Sequence, residues 1–180
     1  MKKQIVLILC LLLFLLLAAC QAETKPAAIE PPIDGLTWGM TVDEVKDALV
    51  KGGLERDKIV FHQPNGEGHA QLHLSAEQCK TLKIDPLPGC PRSEGVVPVI
   101  LFFLDDKEGD CHLAYAYTDV TAENKADAAA QLTKLYGEPT GENFWEVDGK
   151  QVNLRNGAFD TEFIVVYHAN KYVKENFGNF

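Results

Sequence analysis

The first twenty residues remove themselves from any fold this chain can adopt. Lys2 and Lys3 are followed by an apolar run from Ile5 to Leu17 that holds no charge, and small residues follow at Ala18 and Ala19. A charged start, a short apolar core and small residues before a cut are the layout of a secretory signal. A membrane-spanning helix needs roughly 20 apolar residues, so this run is read as a signal rather than a span. Processing before Cys20 leaves 161 residues, enough for one domain with its own core.

The end of that run, Leu17-Ala18-Ala19-Cys20, resembles the lipobox of bacterial lipoprotein precursors. The resemblance implies cleavage before Cys20, diacylglyceryl transfer to its thiol and acylation of the new terminus. It also implies a bacterial cell envelope as location. Gln21 follows the cysteine, where an aspartate implies inner-membrane retention, so in a host with two membranes the implied address is the outer one, facing the periplasm. On this reading residues 1–19 are signal peptide, 20–34 are the lipidated cysteine and a tether, and 35–180 are one globular domain. Pro26, Pro31, Pro32 and scattered alanines give 21–34 the composition of an extended spacer.

Charge narrows the partners. The chain carries −9, and losing Lys2 and Lys3 takes it to −11. Nucleic-acid binding needs clustered Lys and Arg to meet phosphates, so no nucleic-acid partner is expected. Anionic headgroups repel such a domain, so the lipid must hold it to the membrane.

Three cysteines remain for an oxidising compartment: Cys79, Cys90 and Cys111. Cys79 and Cys90 flank Pro86, Pro88 and Gly89, and are the favoured disulfide pair; either pairing with Cys111 stays open. In the favoured arrangement Cys111 is a buried strand thiol.

Periodicity gives the fold class. Thr41 and Glu44 form a capping-box signature, Val42, Val45 and Leu49 follow at helical spacing, and Gly52-Gly53 stops the helix, predicting 42–51. Short strands are expected at 58–62 and 69–74. In the second, Ala70, Leu72 and Leu74 alternate with His69, Gln71 and His73. A Pro- and Cys-rich loop, 75–95, follows. Strands are then expected at 96–104 and 111–117, the latter with Leu113, Tyr115 and Tyr117 on one face. A helix at 122–136, capped by Thr121, is expected to bury Ala128, Leu132 and Leu135. Asp148-Gly149 between two alternating runs is a strong hairpin signal. A strand at 161–168 and a short helix within 170–177 close the chain. Helix, strand, turn, strand recurs at 42–74 and 122–155 without sequence identity, which raises the possibility of two αββ-type units in tandem. The class is α+β: an antiparallel sheet of six to seven strands with two helices packed on one face.

Trp38-Gly39-Met40-Thr41-x-x-Glu44-Val45, together with Leu135-Tyr136-Gly137-Glu138-Pro139, resembles the helix start and helix end of periplasmic lipoprotein domains of the SmpA/OmlA (BamE) type. The tandem arrangement is similar to β-lactamase-inhibitor-protein-like folds. The resemblance implies a periplasmic fold that binds a protein partner. It covers about 15 residues, and the chain departs from it in the Gly52-Gly53 ending and the inserted 75–95 loop.

No catalytic constellation emerges. Residues 20–180 hold only Ser75 and Ser93, neither within a Gly-x-Ser-x-Gly elbow. His69 and His73 share a strand face but stand about 13 Å apart, too far for one metal ion. Cys111 and His112 are strand neighbours and point opposite ways. Asp105 to Asp110 is acidic, but its glycine is misplaced for a calcium loop. No metal, cofactor or catalytic residue is therefore assigned. The candidate binding residues are the aromatics Trp38, Tyr115, Tyr117 and Trp145, as a groove or as core. The expected function is a non-catalytic protein-binding or structural module of the envelope. The alternatives are a small-molecule binder or inhibitor of an envelope hydrolase, and an enzyme of undefined type.

Overall fold

A computed structural model describes residues 26–62, 69–84, 87, 99–105, 110–121, 125–156 and 162–169. The signal segment, Cys20, Cys90, the 106–109 turn and the 170–177 helix expectation lie outside the described residues, and so does the Cys79–Cys90 pairing. Among the described residues, seven strands form one antiparallel sheet: β1 Phe61–His62, β2 His69–Leu74, β3 Val99–Asp105, β4 Cys111–Thr121, β5 Phe144–Val147, β6 Lys150–Asn156 and β7 Glu162–Ala169. Their spatial order is β1-β2-β3-β4-β7-β6-β5. Three helices accompany them: α1 Val42–Lys51, α2 Ala76–Thr81 and α3 Lys125–Tyr136. The class is α+β.

α1 starts where its capping box places it. The Thr41 side chain accepts from the Glu44 amide, and the Glu44 carboxylate accepts from the Thr41 amide at 2.8 Å. Those bonds hold the Glu44 carboxyl below its ordinary range. α2 lies inside the segment expected to be loop. Ser75 and Gln78 repeat the capping box of α1, and the signature S-x-x-Q is present in the sequence. The β5–β6 hairpin turns through Asp148 at φ 51° and Gly149 at φ 73°, the double left-handed step that favours Asp-Gly.

One face of the sheet supplies the core. Leu72, Leu74, Val99, Leu101, Phe103, Leu113, Ala116, Val152, Trp145, Val165 and Tyr167 cluster with Val45 and Leu49 of α1 and with Ala128 and Leu132 of α3. Leu135 sits outside this stripe and is 37% exposed. The described part of α3 begins at Lys125, so the expected start at 122 and its capping by Thr121 lie outside the described residues.

Two differences from expectation matter for function. First, β4 carries a bulge. Phe102 pairs with Tyr115 but Phe103 pairs with Leu113, so Ala114 is an extra residue. The bulge shifts the alternation, placing Leu113 in the core and Tyr115 and Tyr117 on the opposite face, rather than all three together. Second, residues 26–36 are not a spacer. Ile29 is fully buried, and Ile33 and Leu36 are each 4% exposed. The Ala27 amide donates to the Leu135 carbonyl at 2.9 Å, Trp38 Nε1 donates to the Ile29 carbonyl at 2.8 Å, and Glu30 pairs with Lys150. The prolines stiffen this segment while its isoleucines fill the core.

Candidate functional site

The face of the sheet turned away from the core cluster carries the candidate surface. Register alone draws it. His62 lies opposite Gln71, Gln71 opposite Phe102, Phe102 opposite Tyr115, Tyr115 opposite His168, His168 opposite Gln151, and Gln151 opposite Glu146. This row crosses all seven strands and, at about 4.8 Å per step, spans roughly 29 Å. A second row runs beside it: His73, Ile100, Tyr117, Val166, Asn153 and Phe144. None of these residues belongs to the core cluster.

The rows are aromatic at their centre. The Phe102 ring lies 4.5 Å from Tyr117 and 6.5 Å from Tyr115, centroid to centroid, and Tyr115 lies 5.8 Å from the His168 ring. Burial pushes the Tyr115 phenol up to about 12, and burial also raises Tyr117. Both phenols stay neutral and can donate or accept. Fixed aromatic area with polar edges is the surface type enriched at the anchors of protein interfaces.

His168 is the polar centre. Asn153 Nδ2 approaches His168 Nε2 at 3.1 Å. Which of the two donates follows the imidazole tautomer. Nδ1 is buried and has no hydrogen-bond partner among the described residues. Burial, then the Arg155 charge, push the imidazole down to about 4, with Glu146 opposing. His168 is therefore neutral near pH 7. A base with a depressed folded pKa contributes stability that is complete above its unfolded value near 6.5 and is lost as pH falls toward 4. Urea unfolding at pH 7.5 and 4.5 should show a smaller acid loss in His168→Gln than in the parent; equal losses would contradict this assignment.

At the sheet margin, His62 and His73 bring their rings to 5.4 Å. His73 bonds Gln71 at 3.1 Å, and burial followed by His62 lowers its pKa. Among the described residues no three of His, Cys, Asp and Glu converge as metal ligands would.

The aromatics named from sequence separate. Tyr115 and Tyr117 stand together, partly buried, on the face opposite the core, where Val166 and His168 are buried. Trp145 is 2% exposed on the core face, and Trp38 packs against the same core. Phe102, His168, Asn153 and Gln151 join the surface without having been singled out. Their signal was the second phase of each strand's alternation, readable for Ile164, Val166 and His168 once the opposite phase is assigned to the core. Cys79 is buried in α2, its thiol 3.9 Å from the Leu74 carbonyl. Cys111 is only partly buried. Its thiol donates to Asp105 Oδ1 at 2.6 Å, and burial, then Asp105, push it up to about 11, which suppresses the thiolate. His112 turns to the Gly39 carbonyl at 2.8 Å.

Away from the sheet face, an open polar cleft of about 350 Å³ lies between Gly53–Lys58 and α2, lined by Glu55, Ser75, Glu77 and Gln78. Among the described residues no helix is long and apolar enough to cross a membrane. No family model, no curated protein and no solved structure matches this chain.

Proposed function

We propose that this chain is a lipoprotein precursor whose mature form, anchored through lipidated Cys20, acts in a bacterial cell envelope by binding a protein rather than by catalysis. The single observation that carries the binding reading is the pair of rows on the open sheet face, centred on Phe102, Tyr115, Tyr117 and His168. Their composition supports it: aromatic and amide side chains predominate, while most charge of this acidic chain lies elsewhere. Glu146, Asp119 and Arg155 lie in the strand phase of this face and Glu162 shares it by register, a modest acidic excess that a partner surface must tolerate. The anchor rests on Leu17-Ala18-Ala19-Cys20 and its flanks.

The finer architecture is part of the same proposal. Strand order places β1–β4 and β5–β7 on two sides of the β4–β7 seam, with α1 preceding the first group and α3 the second. This supports two tandem units of helix and meander. Shared core residues of α1, α3 and one sheet face support helices stacked on that face and leave the other for the partner.

In-cell crosslinking with mass spectrometry on the native lipoprotein tests the binding reading. Adducts with one envelope protein should fall about tenfold or more in Tyr117→Ala, as interface aromatics carry about 2 kcal/mol when truncated. Lys80→Ala, at an exposed position of α2 away from the rows, should leave them unchanged. Adducts insensitive to Tyr117→Ala would overturn the assignment of this face.

A further inference from the structure

The packing of residues 26–36 against the domain has a consequence for any lipid on Cys20. Only residues 21–25 separate that cysteine from the docked segment. Six extended steps reach about 20 Å at most. A domain of this size is roughly 38 Å across, from a radius of gyration near 15 Å. A leash shorter than the body it holds restricts which end can face the bilayer.

The structure identifies the held end. Pro26 lies beside Gly137: a Cβ built there would stand 3.8 Å from Pro26 Cγ. Ala27 is bonded to the Leu135 carbonyl at the end of α3. Glu30 pairs with Lys150, which opens β6 just after the Asp148–Gly149 turn and lies opposite Ala169, the last residue of β7. The opposite end of the sheet holds Leu74, Val99, Thr121 and Asn156. The row that contains Gln151 and His168 is one residue, about 3.4 Å, inward from the held end.

We infer that the lipid and the docked 26–36 segment together orient the domain, setting the end that carries Gly137, the Asp148–Gly149 turn and Ala169 toward the lipid headgroups and the Leu74–Val99–Asn156 end away from them. This rests on the lipidation reading above. The row from His62 to Glu146 then lies in the half of the domain nearer the membrane, and a partner must approach there. The orientation is mechanical. An acidic domain gains nothing from anionic headgroups, so the bilayer surface acts as a wall and the leash as a hinge pin.

The test uses the full lipidated protein in nanodiscs of phosphatidylethanolamine and phosphatidylglycerol containing a gadolinium-chelating headgroup lipid. Mass spectrometry first verifies acyl chains on Cys20, and a non-acylated chain overturns the lipidation reading and this inference with it. With acylation established, paramagnetic broadening is read at backbone amides. Expected is at least twofold stronger broadening at Ala27, Gly137 and Gly149 than at Ser75, Val99 and Asn156. Inserting about 15 Gly/Ser residues after Gln21, roughly 20 Å of added root-mean-square reach, should erase that contrast. Equal broadening at both ends of the native-length protein, stronger broadening at Val99 and Asn156, or a contrast that survives the insertion would each overturn the orientation while leaving lipidation intact.

Discussion

A Cys20→Ala precursor should incorporate no labelled palmitate, retain residues 1–19 and show no diacylglyceryl mass. On the proposed lipoprotein reading the Cys20 thiol is the atom that accepts lipid, and no neighbouring side chain offers another: Ala18, Ala19, Gln21 and Ala22 flank it in sequence. The energetic effect is the largest available to any single substitution here. Each buried methylene contributes about 0.8 kcal/mol, so one sixteen-carbon chain is worth on the order of 10 kcal/mol before entropy is counted. Palmitate labelling followed by intact-mass measurement reads the outcome. Acyl mass persisting in Cys20→Ala would remove the anchor from the account.

Ile29→Ala should destabilise the domain by about 2–5 kcal/mol, the range for truncating a fully enclosed aliphatic side chain. A spacer residue truncated in the same way would change stability by a few tenths at most. The two readings of 26–34 therefore differ by an order of magnitude in one urea titration. The mechanism is specific: Ile29 closes the core beside Trp38, whose indole N–H is bonded to the Ile29 carbonyl, so both side chain and backbone of this residue are committed. A midpoint within error of the parent would return the segment to a tether and release the orientation argument with it.

Much of the fold was legible from local chemistry. The α1 limits follow from Thr41, Glu44 and Gly52, and the β5–β6 turn follows from Asp148-Gly149, because caps and tight turns are decided by a few neighbouring residues. The 69–74 strand is readable for the same reason, since period-two alternation survives intact there. What escaped was non-local. Ile29 and Ile33 sit among prolines and alanines, and nothing nearby marks them as core. The long-range ties of their segment, Ala27 to Leu135 and Glu30 to Lys150, reach more than 100 residues along the chain. The bulge at Ala114 has no glycine to announce it, so strict alternation put Leu113 with Tyr115 and Tyr117. α2 was legible and overlooked. Ser75-x-x-Gln78 is a helix start, but proline and cysteine further along favoured a loop.

The candidate surface was half legible for a related reason. Tyr115 and Tyr117 stand out as aromatics in a strand, yet sequence offered no means to separate them from Trp145, which register places in the core. Phe102 comes from the apolar β3 run, where every residue reads as interior. Only the pairing of Phe102 with Tyr115 shows that this run serves two faces. His168 becomes notable through its buried Nδ1, which meets no hydrogen-bond partner among the described residues, a property of packing and not of type.

The measurement that bears most directly on the open face as the working surface is a photocrosslinking scan in intact cells. A photoreactive amino acid is placed singly at Gln71, Phe102, Tyr117 and Gln151 on the rows, and at Lys46, Lys80 and Lys134 on the helices. Adducts to a common envelope protein confined to the row positions are the predicted result. Adducts concentrated at Lys46, Lys80 or Lys134, with the row positions silent, would contradict it.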